Sequence, residues 1–520
     1  MTKSPSRREF VQRLSALGAV GVAGAALPLA MRLAAAGEAA AQASSSASSA
    51  QSAGGAAEDY KALVCVFLYG GNDPYNTVVP YDMESHTRYF RTRSDIALAR
   101  DKLDGTVLRA PRDGAAADGK PVGNGGSGPG RSVGSDAAKG SGRDPGKGAG
   151  KDPGKGAGRD DGADGRVYAL APSLAPLIPL FERGVLAVQL NVGPMVVPTT
   201  KAEYIGGRVP MPPKLFSHND QQSYWQGLAP EGAASGWAGR MADLFVAGNG
   251  NSTFANVTAG GSALLLSGQH VSAYRVSPEG STPIELLQRD TYGSTACTDL
   301  LRTLLTQPGR HLFQQQIVAT LARSIRADTQ LRAALEGVAV RGDFGTPLGA
   351  QLKIVARMIA ARRTLGVKRQ VFFVSQNGYD NHDGLNGTHP GLLRELGAAL
   401  ADFQQAMAAL GIEDRVTTFT ASEFGRTLVS NGDGSDHGWG GHHFIVGGAV
   451  RGGRFYGSQP GWDIEGPGYV DHGRLLPSTS VEEFGATLGA WFGADAGALN
   501  DVFPHLRNFS TPDLGFMRRA

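Results

Sequence analysis

The chain has 520 residues, 41% of them apolar and 19% charged, with a formal net charge of +3 at pH 7. That size and composition place it among soluble globular proteins able to bury a large core. The near-neutral balance gives no overall basic signature of a nucleic-acid binder, and two cysteines, Cys65 and Cys297, exclude a Cys-rich zinc site.

The chain opens "SPSRREFVQRLSALGAVGVAGAALPLAM", with Arg7 and Arg8 in a Ser-Arg-Arg-x-Phe context ahead of a short, weakly apolar Gly/Ala-rich stretch. This pattern predicts a twin-arginine signal peptide over residues 1–43, cleaved near Ala43, which makes the twin-arginine translocation machinery a partner and the periplasm the destination. No stable membrane span is expected after cleavage. The first 43 residues carry five basic and two acidic side chains, so their removal brings the net charge to zero. Residues 44–59, rich in serine, alanine and glycine, read as a flexible linker.

From residue 60 to 520 the chain reads as one folded domain, interrupted by a Gly/Pro-rich insert at 112–166. The insert contains "RDPGKGAG" followed by "KDPGKGAG", which have no apolar face to stack, so a disordered surface excursion is expected and a solenoid is excluded.

Outside the insert, apolar runs stop repeatedly at glycine and polar clusters. "ALVCVFLYGGND" runs into Asp73, "QVFFVSQNGYDNHD" into Asp380 and His382, and "RVTTFTASEFGR" into Glu423. Continuous β-branched and aromatic runs predict strands buried on both faces of a largely parallel sheet. In "HPGLLRELGAALADFQQAMAALG" the residues Leu393, Leu396, Leu400, Phe403, Met407 and Leu410 form one helical stripe, read as core packing, as does "AQLKIVARMIAARRTLG". The alternation predicts an α/β three-layer sandwich with a largely parallel central sheet, whose working groups collect beyond the carboxyl ends of the strands.

Carboxylates and imidazoles gathered from separate loops are ligands for a divalent metal: Zn or Mn, shading toward Mg or Ca where oxygens dominate. Asp73, Asp380, His382 and Glu423 occupy predicted strand ends. The stretch "SDHGWGGHHF" adds Asp436, His437 and His442 in a glycine-rich loop, while His443 opens the strand "HFIVGGAV". In "KLFSHNDQQSYW" Ser217 precedes an apparent helix, where the helix N-terminus and a nearby metal would activate its hydroxyl as a nucleophile. Ser-x-x-Asp is equally a helix cap. Thr77 is the second candidate nucleophile, and His218 a supporting donor or the acid for the leaving group.

The segments "FLYGGNDPYNTVVPY", "LFSHNDQQSYWQG", "GYDNHDG", "SEFGRTLVSNGDGSDHGWGGHHFIVGGAVRGGRFYG" and "LPSTSVEEFGATLGAWFG" resemble the exported bacterial proteins grouped as domain of unknown function 1501. That family is similar in turn to the alkaline phosphatase and sulfatase superfamily, which implies an alkaline phosphatase-like sandwich holding one or two metals. By this resemblance Asp73 ends the first strand as a ligand, and Asp380 with His382 forms the second pair. Glu423 stands where an Asp-His-Gly is common, and His437, then His442, matches the last histidine. The implied activity is hydrolysis of a small phosphate or sulfate ester. The alternative is an exported binding or assembly protein that keeps the fold without turnover.

Overall fold

The computed structural model describes residues 59–109, 165–307 and 311–518. The signal peptide, the linker apart from Asp59, and the insert apart from Gly165 and Arg166 lie outside the described residues.

Nine strands form one sheet: β1 (Lys61–Tyr69), β2 (Leu186–Gly193), β3 (Asn256–Thr258), β4 (Tyr274–Arg275), β5 (Arg369–Asn377), β6 (Val416–Ala421), β7 (Gly441–Val446), β8 (Phe455–Tyr456) and β9 (Thr479–Ser480). Their order is β8-β2-β7-β6-β1-β5-β3-β4, with β9 also paired to β2. Six of the eight pairings are parallel, and β7 alone runs antiparallel to its neighbours. The expected mixed α/β architecture with a largely parallel sheet is present.

The absence of polar alternation in β1 has a direct cause. Ala62, Val64, Val66 and Leu68 enter one apolar cluster, while Leu63, Cys65 and Phe67 enter another. Among the helices, α1 is Met83–Thr92, α2 His218–Gly227, α3 Trp237–Asp243, α4 Pro347–Ala360, α5 Leu385–Ala409 and α6 Val481–Phe492. The first cluster takes Leu352, Val355 and Ile359 of α4 with the predicted stripe Leu393, Leu396, Leu400, Phe403 and Met407 of α5. The second takes Trp225 of α2, Trp237 and Met241 of α3, and Phe484 and Leu488 of α6. A strand between two apolar layers has no wet face to mark with polar residues.

Helix α5 starts at Leu385, before the predicted stripe, so Pro390 lies inside it rather than at its entry. Cys65 is buried in β1 and Cys297 is exposed, and both are free thiols. No helix among the described residues is long and apolar enough to cross a membrane.

The neighbouring parallel strands β6, β1 and β5 all end on one edge, delivering Glu423, the loop at residues 70–77, and Asp380 side by side. Because β7 is antiparallel, its start lies at that same edge, which brings the histidine segment there as well.

Candidate metal centre

After β1 the chain turns at Gly70 and Gly71, whose φ values of +116° and +84° favour glycine. A Cβ on Gly70 would lie 2.3 Å from the Asp380 nitrogen, so only glycine lets the two strand ends touch there. The Gly70 N–H donates to Glu423 Oε1 at 2.9 Å. Glu423 is fully buried, and the same oxygen accepts Gln222 Nε2 at 3.0 Å and His218 Nδ1 at 2.9 Å.

With Nδ1 donating to Glu423, the Nε2 of His218 turns toward Asp380 Oδ2 at 3.4 Å. His437 is held in the same way: Nδ1 donates to the Phe216 carbonyl at 2.8 Å, leaving Nε2 3.2 Å from Asp380 Oδ1. His218, Asp380 and His437 each offer a ligand atom within 4.8 Å of the others. At the rim, His382 donates Nδ1 to Asp436 Oδ1 at 3.2 Å and points Nε2 at His437 Nε2, 2.9 Å away, and at Asp380 Oδ1, 3.2 Å away. In a neutral imidazole, an acceptor at Nδ1 takes the one N–H and leaves the lone pair at Nε2. Three Nε2 atoms converge on the one carboxylate of Asp380. With their lone pairs turned inward, the three rings and the carboxylate repel one another unless a proton or a cation lies between them.

The local backbone is shaped to this end. Phe216 and Lys214 adopt φ values of +72° and +45° in the turn that leads into α2. For a bulky residue this conformation costs on the order of 1–3 kcal/mol and persists only where its surroundings enforce it. Arg474 provides that enforcement, with its guanidinium 4.2 Å over the Phe216 ring and its Nε donating to the His437 carbonyl at 2.8 Å. One strained turn thus aims the Phe216 carbonyl at His437 and sets His218 as the first residue of α2.

Burial opposes ionisation of Asp380, but the Arg426 guanidinium at 2.8 Å outweighs it and holds the carboxyl below its usual range. The Glu423 hydrogen bond raises the pKa of His218, against partial burial. For His437, burial dominates and lowers the pKa, with the bond to Phe216 opposing it.

The other predicted residues are placed differently. Asp73 is buried in a salt bridge, with Arg93 Nη2 at 2.5 Å from Oδ2 and Nη1 at 3.1 Å from Oδ1. It also accepts the N–H groups of Tyr75 and Asn76 and the hydroxyl of Ser435. Thr77 is buried, its hydroxyl donating to the Asp73 carbonyl at 2.6 Å. Ser217 is the N-cap of α2 without making a cap bond, because its hydroxyl donates to Asp220 Oδ2 at 3.0 Å. Glu423 stands behind His218 rather than in the triad. Asp436 stands behind His382. His442 is buried, with Nδ1 accepting the Asn191 N–H at 3.1 Å, outside the triad. The segment expected to be a glycine-rich loop forms instead a short strand, Ser435–His437, with a bulge, paired to Arg426–Ser430.

Sequence reasoning missed Phe216, Arg474 and the pairing of Arg426 with Asp380. A left-handed phenylalanine leaves no trace in composition, and Arg474 arrives from the separate hairpin Tyr469–Val470/Arg474–Leu475.

A model of the family described as "Protein of unknown function (DUF1501)" matches residues 168–501. No curated protein matches the chain. Among solved structures, the crystal structure of Ps i-CgsB in complex with k-i-k-neocarrahexaose is 12% identical, with 63% of this chain and 70% of that chain covered at a TM-score of 0.29. A similarity that weak carries no argument about fold or ligand.

Proposed function

Since the chain belongs to the DUF1501 family, whose description names no reaction, we propose its function from the site: an exported, metal-dependent hydrolase of phosphate or sulfate esters on an alkaline phosphatase-like sandwich. The observation that carries the reading is the convergence of two Nδ1-anchored histidines, His218 and His437, on Asp380. Metal-binding histidines characteristically present Nε2 to the ion and donate Nδ1–H to a carboxylate or carbonyl, the roles Glu423 and the Phe216 carbonyl play here. Bonds of about 2.0–2.2 Å to a tetrahedral ion put ligands about 3.3–3.5 Å apart. His437 Nε2 is 3.2 Å from Oδ1 of Asp380 and His218 Nε2 is 3.4 Å from Oδ2, so each imidazole faces one carboxylate oxygen at close to that spacing. Two imidazoles and one carboxylate suit Zn²⁺ or Mn²⁺ better than Mg²⁺ or Ca²⁺.

When bound, the ion supplies a Lewis acid for an ester oxygen and lowers the pKa of a nearby hydroxyl. The protein's own residues do the rest. Ser217, half-buried and adjacent in sequence to His218, is the hydroxyl nucleophile. Asp220, 3.0 Å from its Oγ, orients it and accepts its proton. Arg426 keeps Asp380 ionised and in place.

Metal analysis of purified mature protein, followed by assay against aryl phosphate and aryl sulfate esters, tests the reading. The expected result is bound Zn²⁺ or Mn²⁺ and turnover of one ester class that Ser217→Ala abolishes. Protein that holds no metal under any loading condition overturns the proposal. Metal without turnover leaves the non-catalytic binding protein in its place.

A further inference from the structure

We infer that the centre holds a single divalent ion, and that the buried guanidinium of Arg426 supplies the positive charge that a two-ion site would draw from a second metal. The inference rests on the metal-centre reading above and addresses what that reading leaves open, the number of ions.

Four carboxylates meet at this edge, and three of them take hydrogen bonds from the protein, Asp73 to saturation. Asp73 accepts five donors: two from Arg93, the N–H groups of Tyr75 and Asn76, and the Ser435 hydroxyl. A carboxylate offers about four lone-pair sites, so none remains for a cation. Glu423 takes three N–H donors on Oε1 while its side chain is 0% exposed. Asp436 is shared between His382 and Asn431. Asp380 Oδ2 is the oxygen turned into the triad, its nearest partner an imidazole nitrogen there, whereas Glu423 Oε2 receives the Ser422 hydroxyl at 3.4 Å and both donors to Asp436 go to Oδ1.

The other oxygen of Asp380 is where a second ion would bridge. In two-metal sites the ions stand about 3.5–4 Å apart across shared ligands. Here Arg426 Nη2 lies 2.8 Å from Oδ1, and the side chain is 0% exposed. Its charge acts on Asp73 and Glu423 as well as on Asp380, the acids a second cation would neutralise. The Nε and Nη1 of Arg426 have no hydrogen-bond partner among the described residues. Burying a guanidinium with two of its three nitrogens unbonded is costly for folding. That cost is accounted for if the charge is retained for the site, and a second dication beside it would meet direct repulsion.

The test counts ions. Mature protein is stripped with a chelator, saturated separately with Zn²⁺ and Mn²⁺, freed of weakly held metal by gel filtration, and measured for metal per chain. One equivalent of either ion is the expected result. Two equivalents overturn the inference and leave the metal-centre reading standing. Zero equivalents overturn both.

Discussion

At the scale of single residues, the centre separates histidines that stand close together in sequence. His437 offers a ligand nitrogen to the triad, whereas His443 is buried against the rings of Trp225 and Phe484 at 5.3 and 6.1 Å. His437→Ala and His218→Ala are expected to weaken metal binding by more than about 100-fold, beyond the range for residues that only orient a ligand. His443→Ala should destabilise the fold and leave the affinity of the folded protein unchanged. Parallel metal titrations decide the matter, and equal affinities for His437→Ala and the unmutated protein would remove His437 from the ligand set. The buried titratable groups also set an acid limit. Burial lowers the pKa of His389 to about 4 and that of His443 to about 3, so the unfolded chain binds protons before the folded one does. Stability is therefore lost as pH falls from about 6.5 toward those values. Burial opposes ionisation of Asp73, but Arg93 outweighs it and lowers the pKa, so its contribution is lost last, as pH drops below about 4. Denaturant unfolding across pH 7 to 3.5 should show continuous loss, and His443→Phe should flatten the upper part of that slope. An unchanged slope in the variant would show that His443 does not contribute to it.

At the scale of elements, the centre depends on how one turn is held. The residues leading into α2 carry two left-handed conformations, and Arg474 clamps that turn to the strand bearing His437. Arg474→Gln removes the stacking on Phe216 and loosens the carbonyl that fixes the His437 ring. Metal affinity should fall by about 10- to 100-fold, while the metal-free protein unfolds within a few degrees of the original. Arg474→Lys should restore little, because an ammonium cannot stack as a plane and donate from Nε together. If Arg474→Gln binds metal as tightly as the parent, the clamp is only packing.

At the scale of the whole molecule, the insert divides the sequence without dividing the fold. Its flanks are joined, with Val107 bridged to Ala169 and the Leu108 N–H donating to the Tyr168 carbonyl at 2.9 Å. A short loop can therefore replace residues 115–163, and longer loops cost little additional closure entropy. The deletion protein should keep its metal content and unfold within about 5 °C of the original. A larger drop in the thermal midpoint would mean that the segment packs against the domain.

Much of this was legible in the sequence, for a reason specific to each part. The runs in β1, β5 and β6 announced doubly buried parallel strands because a strand between two apolar layers has no polar face to show. The strand ends then located Asp380 and Glu423, since chain direction alone puts them on one edge. What the sequence did not contain was the pairing at that edge. Glu423 and His218 are 205 positions apart and Asp73 and Ser435 are 362 apart, so no local pattern links them. Only the folded trajectories decide that Arg93 occupies Asp73, that Glu423 stands behind a histidine, and that His218 turns its Nε2 to Asp380. Periodicity encodes which face of an element is buried. Which acid stays available for a cation is decided by the donors that the rest of the chain brings to it.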